Sequence, residues 1–314
     1  MTQHRDQPVV AVVGSLNIDL VAYTSRVPSA GETVIGERFQ MGFGGKGANQ
    51  AVMAARLGAR VAMIGALGDD VYAGMTFDNL ARQDVDASNV TRVQGSSGVA
   101  PIWVEPDGTN RIIVVPGAND AVDPAAAAAA IRSLDHVDVV VGQLEIPQRV
   151  TLSAFRAAGE RGAVTILNPA PAAPLDPELI EASHWLIPNE TEFAILAGIP
   201  RLEPGDDAPI TAFARRIAAR LLLTLGSRGA AIVSADGDVD LVPATPVKAI
   251  DTTGAGDAFV GAFAVGLAAG LNERAAVRLG IACASDSVTR PGTQSSFASR
   301  EVATAILGEI RAET

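Results

Sequence analysis

Short runs of Val, Ile and Leu recur along the chain, and segments with helical periodicity separate them. Seven runs have the length and composition of buried strands: Val9–Val13, Val61–Ile64, Val137–Val141, Val164–Leu167, Trp185–Ile187, Leu221–Leu225 and Ala231–Val233. Helices are predicted at Ala48–Leu57, Val71–Leu80 and Gln148–Ala158, and another begins at Asp123-Pro124. Because strands that alternate with helices form βαβ units, the pattern predicts an α/β fold with a mostly parallel sheet covered on both faces.

Two segments interrupt this alternation. Asn17–Phe43 is rich in turns and contains no good helix, and Gly98–Val115 has alternating apolar residues around a turn at Pro106-Asp107-Gly108. Both predict short antiparallel strands outside the main sheet. We expect them to form a small β-sheet lid, at about residues 16–43 and 97–116, on a single domain that spans residues 1–314. Since an uncovered sheet is a liability, pairing with a second copy is expected.

Composition narrows the possible partners and the compartment. The 314 residues carry a net charge of −11, and an acidic surface repels phosphate backbones, so duplex nucleic acid is a poor partner. No apolar run reaches about 18 residues, so no membrane span is predicted. The one cysteine, Cys283, cannot form an internal disulfide and is expected to be buried and inert, which suits a reducing cytoplasm.

A glycine-rich segment precedes a helix late in the chain. Residues Asp251–Phe259 read DTTGAGDAF, and small and apolar residues follow at Val260–Ala269. Glycines before a helix allow several N–H groups to converge on an anion, and the helix dipole adds positive charge there. Asp257, in the first turn, could accept a proton from a hydroxyl that attacks a phosphoryl group. Alternatively, Asp257 only caps the helix, and these residues alone leave both interpretations open.

A second glycine-rich segment, Gly42–Gln50, reads GFGGKGANQ. Its glycines match the dinucleotide G-x-G-x-x-G pattern only formally, since they follow the predicted lid rather than the first βα turn, and a Walker pattern is absent. The segment presents Lys46 and Asn49 on one face of the following helix, where they could bind a polyol. A solvated helix start is the alternative.

Asn17 and Asp19 follow the first predicted strand. They are two residues apart in extended chain and therefore share a face. An amide beside a carboxylate can bind adjacent hydroxyl groups of a sugar, although both residue types are also common in ordinary turns.

Two later motifs could face a nucleotide. Asn189 and Glu192 have the spacing of a capping box at the start of a helix. They could also organise water around Mg²⁺, which keeps several waters and needs few carboxylates. The turn Thr224–Gly229, with glycines and hydroxyls, could approach a nucleotide closely, but many β-turns look alike.

Together, the motifs resemble the ribokinase-like (PfkB) carbohydrate kinase family, from about Val9 to Ser296. The most specific segments are Gly44–Ala51 and Asp251–Phe259, and supporting segments are Asn168–Ala172, Pro188–Glu192 and Thr224–Gly229. The resemblance implies a three-layer α/β/α sandwich around a mostly parallel sheet, with a small β-sheet lid that often meets the lid of a partner in a homodimer. It also implies ATP-dependent phosphorylation of a sugar, with D-ribose expected to become D-ribose 5-phosphate.

The resemblance further implies roles in catalysis and sugar binding. Asp257 would be the base on the primary hydroxyl of the sugar, and the amides of Gly254, Ala255 and Gly256 would stabilise the transferring phosphoryl group. Sugar contacts are expected from Asn17, Asp19, Gly45, Lys46, Asn49 and Glu145.

Roles in cofactor binding follow in the same way. ATP is expected at Asn189, Thr224, Gly226, Ser227, Gly229 and Gly256. Mg²⁺ would be held through water by Asn189 and Glu192. A K⁺ activator would be held, partly through carbonyls, by Asp251, Thr253, Ser287, Arg290, Gly292 and Ser296. The chain departs from relatives at Ile281, where they often carry a polar residue near the nucleotide.

Two alternatives remain open. A sister kinase of the same family could act on deoxyribose, fructose, a keto-sugar acid or a nucleoside such as adenosine. A non-catalytic sugar-binding regulator could use the same fold, but it would be expected to have a damaged anion hole or no base, and the residues for both are present.

Overall fold

The computed structural model describes residues 7–313, which contain two sheets and ten α-helices. The strands are β1 (Val9–Val13), β2 (Asn17–Tyr23), β3 (Arg38–Gly44), β4 (Arg60–Leu67), β5 (Val85–Arg92), β6 (Gly98–Val104), β7 (Asn110–Ile112), β8 (Val139–Gly142), β9 (Val164–Leu167), β10 (Trp185–Leu186), β11 (Arg220–Thr224), β12 (Ala230–Val233) and β13 (Val239–Val242). The helices are α1 (Lys46–Arg56), α2 (Val71–Arg82), α3 (Pro124–Ser133), α4 (Gln148–Glu160), α5 (Pro177–Glu181), α6 (Glu190–Ala197), α7 (Ala208–Ala214), α8 (Ala255–Ala268), α9 (Glu273–Ser287) and α10 (Arg300–Ala312).

The large sheet has nine strands in the order β13-β12-β11-β10-β9-β8-β1-β4-β5. Neighbours from β5 to β11 pair in parallel, and β12 and β13 add two antiparallel pairings at one end. The predicted mostly parallel sheet is therefore confirmed, and all seven predicted strands are present, two with the predicted bounds and five with slightly different ones. The sequence missed the two edge strands, β5 and β13, because their polar, partly exposed residues interrupt any continuous apolar run.

Helices cover both faces of this sheet, which confirms the three-layer arrangement. Successive residues of β1 point to opposite faces. Val10 packs into a core that contains Phe263 of α8, and Ala11 packs into a second core that contains Phe155 of α4. Every residue of β1 is buried, because apolar side chains meet it from both layers.

The small sheet has the strand order β3-β2-β6-β7. β2 pairs antiparallel with β3, and β6 pairs antiparallel with β7, but β2 and β6 are parallel, with Asn17 opposite Gly98. The expectation that these strands are all antiparallel was wrong. β2 directly follows β1, and β6 directly follows β5. Because β1 and β5 point in the same direction in the large sheet, β2 and β6 both start from the carboxyl ends of its parallel strands and run in the same direction.

The two faces of the small sheet differ in chemistry. Residues that pair across the strands share a face, and one face carries Asp19, Tyr23, Arg38 and Gln40, which line a cavity of about 590 Å³. The opposite face is apolar, and Phe39 on it is 66% exposed. The small sheet thus has a polar inner face, which lines the cavity, and an apolar outer face.

Helix α9 carries two residues that the sequence singled out. Cys283 is fully buried, as predicted, and burial raises the pKa of its thiol to about 12, which disfavours the reactive thiolate. Ile281 is buried in the core beside α8. Across residues 7–313, every helix is too short or too polar to cross a bilayer.

Candidate active site

Helix α8 begins at Gly254, whose φ of 76° is in the left-handed region that favours glycine. A Cβ at this position would lie 2.7 Å from Cγ2 of Thr293. The amide of Ala255 donates to the carbonyl of Thr252 at 3.2 Å, so this amide is already used. The amides of Gly256 and Asp257 have no acceptor among the described residues, which leaves them free to bind an anion.

Asp257 lies in the first turn of α8, and its side chain is only 6% exposed. Nδ2 of Asn49 donates to one carboxylate oxygen at 2.9 Å, and Nε2 of Gln50 donates to the other at 3.0 Å. Both donors come from the first turns of α1. Asp257 makes no side-chain bond to its own helix start, so the simple helix-cap interpretation does not describe it.

A cavity of about 210 Å³ opens beside Asp257. It brings together residues that are far apart in the sequence: Lys46, Asn168, Asn189, Glu192, Thr224, Thr252, Gly254 and Gly256. The other residues of the predicted nucleotide turn, Gly226, Ser227 and Gly229, lie outside its lining. The cavity therefore joins the start of α8 to only one end of that turn.

Asp19 lies in the larger cavity, under the inner face of the small sheet. Burial, and then the nearby charges of Glu145 and Asp257, raise the pKa of Asp19 to about 7. Gly44 on the paired strand leaves room for this carboxylate, since a Cβ there would lie 2.3 Å from Oδ1 of Asp19. Asn17, buried at the start of β2, accepts a hydrogen bond from Nδ2 of Asn119 at 2.7 Å.

Glu145 connects the end of β8 to the start of α1. Its Oε2 accepts the amide of Lys46 at 2.9 Å and the hydroxyl of Ser15 at 2.5 Å. The chain enters α1 through Gly45, where φ is 85° and a Cβ would lie 2.7 Å from the amide nitrogen of Asn17. This close approach holds the predicted sugar-binding residues of β2 and α1 together.

Lys46 is the cation among these carboxylates. Its burial lowers the pKa of the ammonium group, but Asp257, Glu145 and Glu192 outweigh that effect and raise the pKa above its usual value. The ammonium group therefore stays charged near neutral pH and offsets part of the negative charge of the site.

Asn189 and Glu192 form a complete capping box at the start of α6, with both hydrogen bonds at 2.8 Å. Burial raises the pKa of Glu192, although the amide of Asn189 and the charge of Lys46 oppose it. Within residues 7–313, no three His, Cys, Asp or Glu side chains come together as metal ligands. The capping box uses Oδ1 of Asn189 and Oε2 of Glu192, which leaves Oε1 of Glu192 as the oxygen for an ion that is held through water.

The expected cation ligands lie in two segments, one before α8 and one at the end of α9 and after it: Asp251, Thr253, Ser287, Arg290, Gly292 and Ser296. Asp251 accepts the amides of Thr253 and Gly292, at 2.9 and 2.8 Å. Burial would raise the pKa of Asp251, but these hydrogen bonds outweigh it and hold the pKa below its usual value. Arg290 donates to the carbonyl of Ser296 at 2.8 Å, so that oxygen is already used. An ionised, anchored Asp251 is compatible with a monovalent cation.

Sequence reasoning missed the amides around the base. Gln50 is next to Asn49, which was predicted, and Asn168 is in a segment that carried the resemblance without an assigned role. Gln294 donates to Oδ1 of Asn49 at 3.0 Å. Because Gln50 and Asn168 lie in segments that carried the resemblance, and Gln294 lies among the expected cation ligands, the sequence could have marked all three as candidates for the site. The hydrogen bonds that they make could not be predicted from their spacing in the sequence.

Comparison with known proteins agrees with this geometry. The family model described as pfkB family carbohydrate kinase matches residues 7–300. The chain is 40% identical to a ribokinase of Schizosaccharomyces pombe, over 92% of this chain and 95% of that protein. It is 39% identical to a deoxyribokinase of Salmonella typhimurium, over 93% and 96%. The structure of Arabidopsis thaliana ribokinase complexed with ribose and ATP superposes with a TM-score of 0.87 at 30% identity, over 96% of this chain and 99% of that one.

Proposed function

This chain belongs to the pfkB family of carbohydrate kinases, and we propose that it transfers the γ-phosphoryl group of ATP to O5 of D-ribose, giving D-ribose 5-phosphate and ADP. The observation that carries the proposal is the start of α8. There, the buried carboxylate of Asp257 and free first-turn amides lie in one cavity with the ammonium group of Lys46. A proton acceptor beside an anion site is what phosphoryl transfer to an alcohol requires.

In this mechanism, Asp257 accepts the proton of the primary hydroxyl as its oxygen attacks the γ-phosphorus. The bond between that phosphorus and the bridging oxygen of ADP breaks, and the proton remains on Asp257. The amides at Gly254 and Gly256 stabilise charge on the transferring group, and the amide of Ala255 can do so only if it leaves the carbonyl of Thr252. Lys46 contributes positive charge in the same cavity.

The sugar would occupy the space under the polar inner face of the small sheet. The proposed contacts are Asn17, Asp19, Gly45, Lys46, Asn49 and Glu145. Asn17 and Asp19 lie on the same strand, two residues apart, and can bind adjacent hydroxyls. This supports a substrate with a vicinal diol, such as ribose.

ATP would extend from Gly256 past Asn189 towards Thr224, Gly226, Ser227 and Gly229. Asn189 and Glu192 would hold Mg²⁺ through water, and the ion would supply positive charge to the phosphates. K⁺ would be held by Asp251, Thr253, Ser287, Arg290, Gly292 and Ser296, beside the start of α8.

We further propose that the small sheet is a lid on a single domain, built from residues 16–43 and 97–116, and that two copies pair through it. The support is its apolar outer face, which the described part of the chain leaves uncovered at Phe39, Met41 and Ile113. A second copy with the same face would remove this surface from water.

A panel of sugars and adenosine, each with ATP and with or without K⁺, tests the substrate. We expect the highest kcat/KM with D-ribose, since Asn17 and Asp19 would lose a partner with 2-deoxyribose. The deoxyribokinase relative makes deoxyribose the strongest rival. A clear preference for deoxyribose, fructose or adenosine would overturn the ribose assignment.

Asp257→Asn in the same panel should lose at least ~100-fold in turnover, as expected for loss of a general base.

A further inference from the structure

Adjacent residues of α1 hold the two oxygens of Asp257. Asn49 occupies one oxygen and Gln50 the other, and both donors are neutral carboxamides. Asn49 is 4% exposed and Gln50 is fully buried. A buried carboxylate needs hydrogen-bond donors, but two neutral donors on opposite oxygens also fix its rotation about the Cβ–Cγ bond.

The side chain of Gln50 makes three hydrogen bonds: its NH₂ group donates two, and its carbonyl oxygen accepts one of a possible two. Nε2 donates to Asp257 and to Oδ1 of Asn168 at 3.1 Å, and Oε1 accepts Nε2 of Gln143 at 2.6 Å. If the amide of Gln50 were flipped, its oxygen would face two acceptors. The surroundings therefore allow Gln50 to act towards Asp257 only as a donor.

The two amide partners of Gln50 directly follow strands of the large sheet. Nδ2 of Asn168 donates to the carbonyl of Ile187 at 2.9 Å, just after β10. Gln143 follows β8 and is fully buried, and its Oε1 has no hydrogen-bond partner in the described structure. A Cβ at residue 14 would lie 2.0 Å from that oxygen, so Gly14 makes the space that Gln143 needs.

We propose that Gln50 is a positioning residue for phosphoryl transfer, which fixes the orientation of the Asp257 carboxylate through the Gln143–Gln50–Asn168 amide cluster. The proposal rests on the role of Asp257 as the base. Gln50 need not touch either substrate: it acts through Asp257, and Gln143 and Asn168 act through Gln50. A purely structural role would predict a loss of stability without a specific change in the titration of the base.

Other charged groups near Asp257 must stay unchanged for the test to be clear. Lys46 from α1, Asp19 from β2 and Glu192 from α6 interact electrostatically with Asp257, and Glu145 after β8 acts on both Lys46 and Asp19. The variants below leave all of these groups in place. The kcat profile is used because it reports groups in the complex with saturating substrates, whereas Asp19 of the free protein would affect kcat/KM.

Gln50→Met removes the donor at similar size, and Gln50→Glu replaces it with a group of the same shape that can carry a charge. For Gln50→Met, we expect kcat to fall about ten- to hundred-fold, the range for loss of a hydrogen bond to a charged group, with KM for ribose within about twofold. In Gln50→Met, the acidic limb of the kcat–pH profile should move to higher pH, because the ionised carboxylate of Asp257 loses a hydrogen-bond donor. In Gln50→Glu, it should move further, because a second carboxylate beside Asp257 disfavours ionisation of the first. Gln143→Met should act in the same direction but more weakly.

Thr151→Val is the matched control, since the hydroxyl of Thr151 in α4 is fully buried and has no partner in the described structure. It should leave kcat and the pH profile unchanged. Circular dichroism and melting curves establish which variants are folded. If Gln50→Met does not fold, the pH profiles of the isosteric Gln50→Glu and of the more distant Gln143→Met test the positioning role instead. An unmoved acidic limb in the folded variants would overturn the positioning role. Normal turnover of Asp257→Asn would instead overturn the proposed base, so the two failures are distinguishable.

Discussion

Two carboxylates of the site show how environment divides roles between identical side chains. Asp257 is buried but receives two amide donors, whereas Asp19 has no hydrogen-bond donor within the described structure and lies near Glu145 and Asp257. Burial and the two negative neighbours raise the pKa of Asp19 to about 7. Asp19 therefore titrates in the range where the protein would work, and this has a measurable consequence.

Ribose affinity should depend on pH through Asp19. The ionised carboxylate can accept hydrogen bonds from two sugar hydroxyls, and this form is lost as the pH falls through about 7. We expect the dissociation constant for ribose, measured by calorimetry, to be about tenfold higher at pH 6 than at pH 8, since one proton is linked to binding. The effect should level off above the pKa.

Asp19→Asn provides the control for this dependence, because it keeps the shape of the side chain and removes its titration. The variant should bind ribose more weakly but almost independently of pH over this range. An equally steep dependence in Asp19→Asn would assign the titration to another group. A flat profile in the unmodified protein would remove Asp19 from sugar binding.

At the scale of elements, the start of α8 carries the chemistry. The left-handed backbone of Gly254 begins the helix, and the amides of Gly256 and Asp257, which have no acceptor among the described residues, follow it beside the cavity. The same first turn of the helix carries the carboxylate of Asp257. A change in this backbone should therefore act on phosphoryl transfer as well as on stability.

Gly254→Ala should reduce both turnover and stability. The left-handed conformation costs a non-glycine residue about 1–2 kcal/mol, and the new Cβ would lie 2.7 Å from Cγ2 of Thr293. We expect a lower melting temperature and a fall in kcat of about tenfold or more, because displaced amides no longer match the transferring group.

Gly270→Ala is the matched control, since Gly270 follows the other end of α8 with the same φ of 76° and no atom within 4 Å of its added Cβ. It should lower the melting temperature without a comparable loss of kcat. Equal losses of kcat in both variants would indicate a general effect of helix stability rather than a local effect on the anion site.

At the scale of the whole molecule, the small sheet has two faces with different partners. Its polar inner face belongs to the large cavity, and its outer face exposes Phe39, Met41 and Ile113. With a net charge of −11, the chain is not expected to self-associate through its charged surface. The apolar outer face is therefore the surface on which we expect a second copy.

Phe39→Asp should convert a dimer into a monomer. Phe39 is 66% exposed, and a buried, unpaired carboxylate at the interface would disfavour association. Sedimentation at micromolar concentration measures the result. Ile195→Asp is the control, because Ile195 on α6 is 55% exposed outside the small sheet and should leave the dimer intact. A monomeric unmodified protein, or a dimer that persists in Phe39→Asp, would contradict pairing through this face.

The sequence by itself determined the buried strands, the mostly parallel sheet and the motif that places Asp257 at a helix start, because local periodicity and glycine placement encode these features. It did not determine the parallel pairing of β2 with β6, nor the edge strands β5 and β13, whose pairing depends on the large sheet. Only the tertiary structure decided what surrounds the base. Asn49 and Asp257 are 208 residues apart, and the fold alone brings such residues into hydrogen-bond distance.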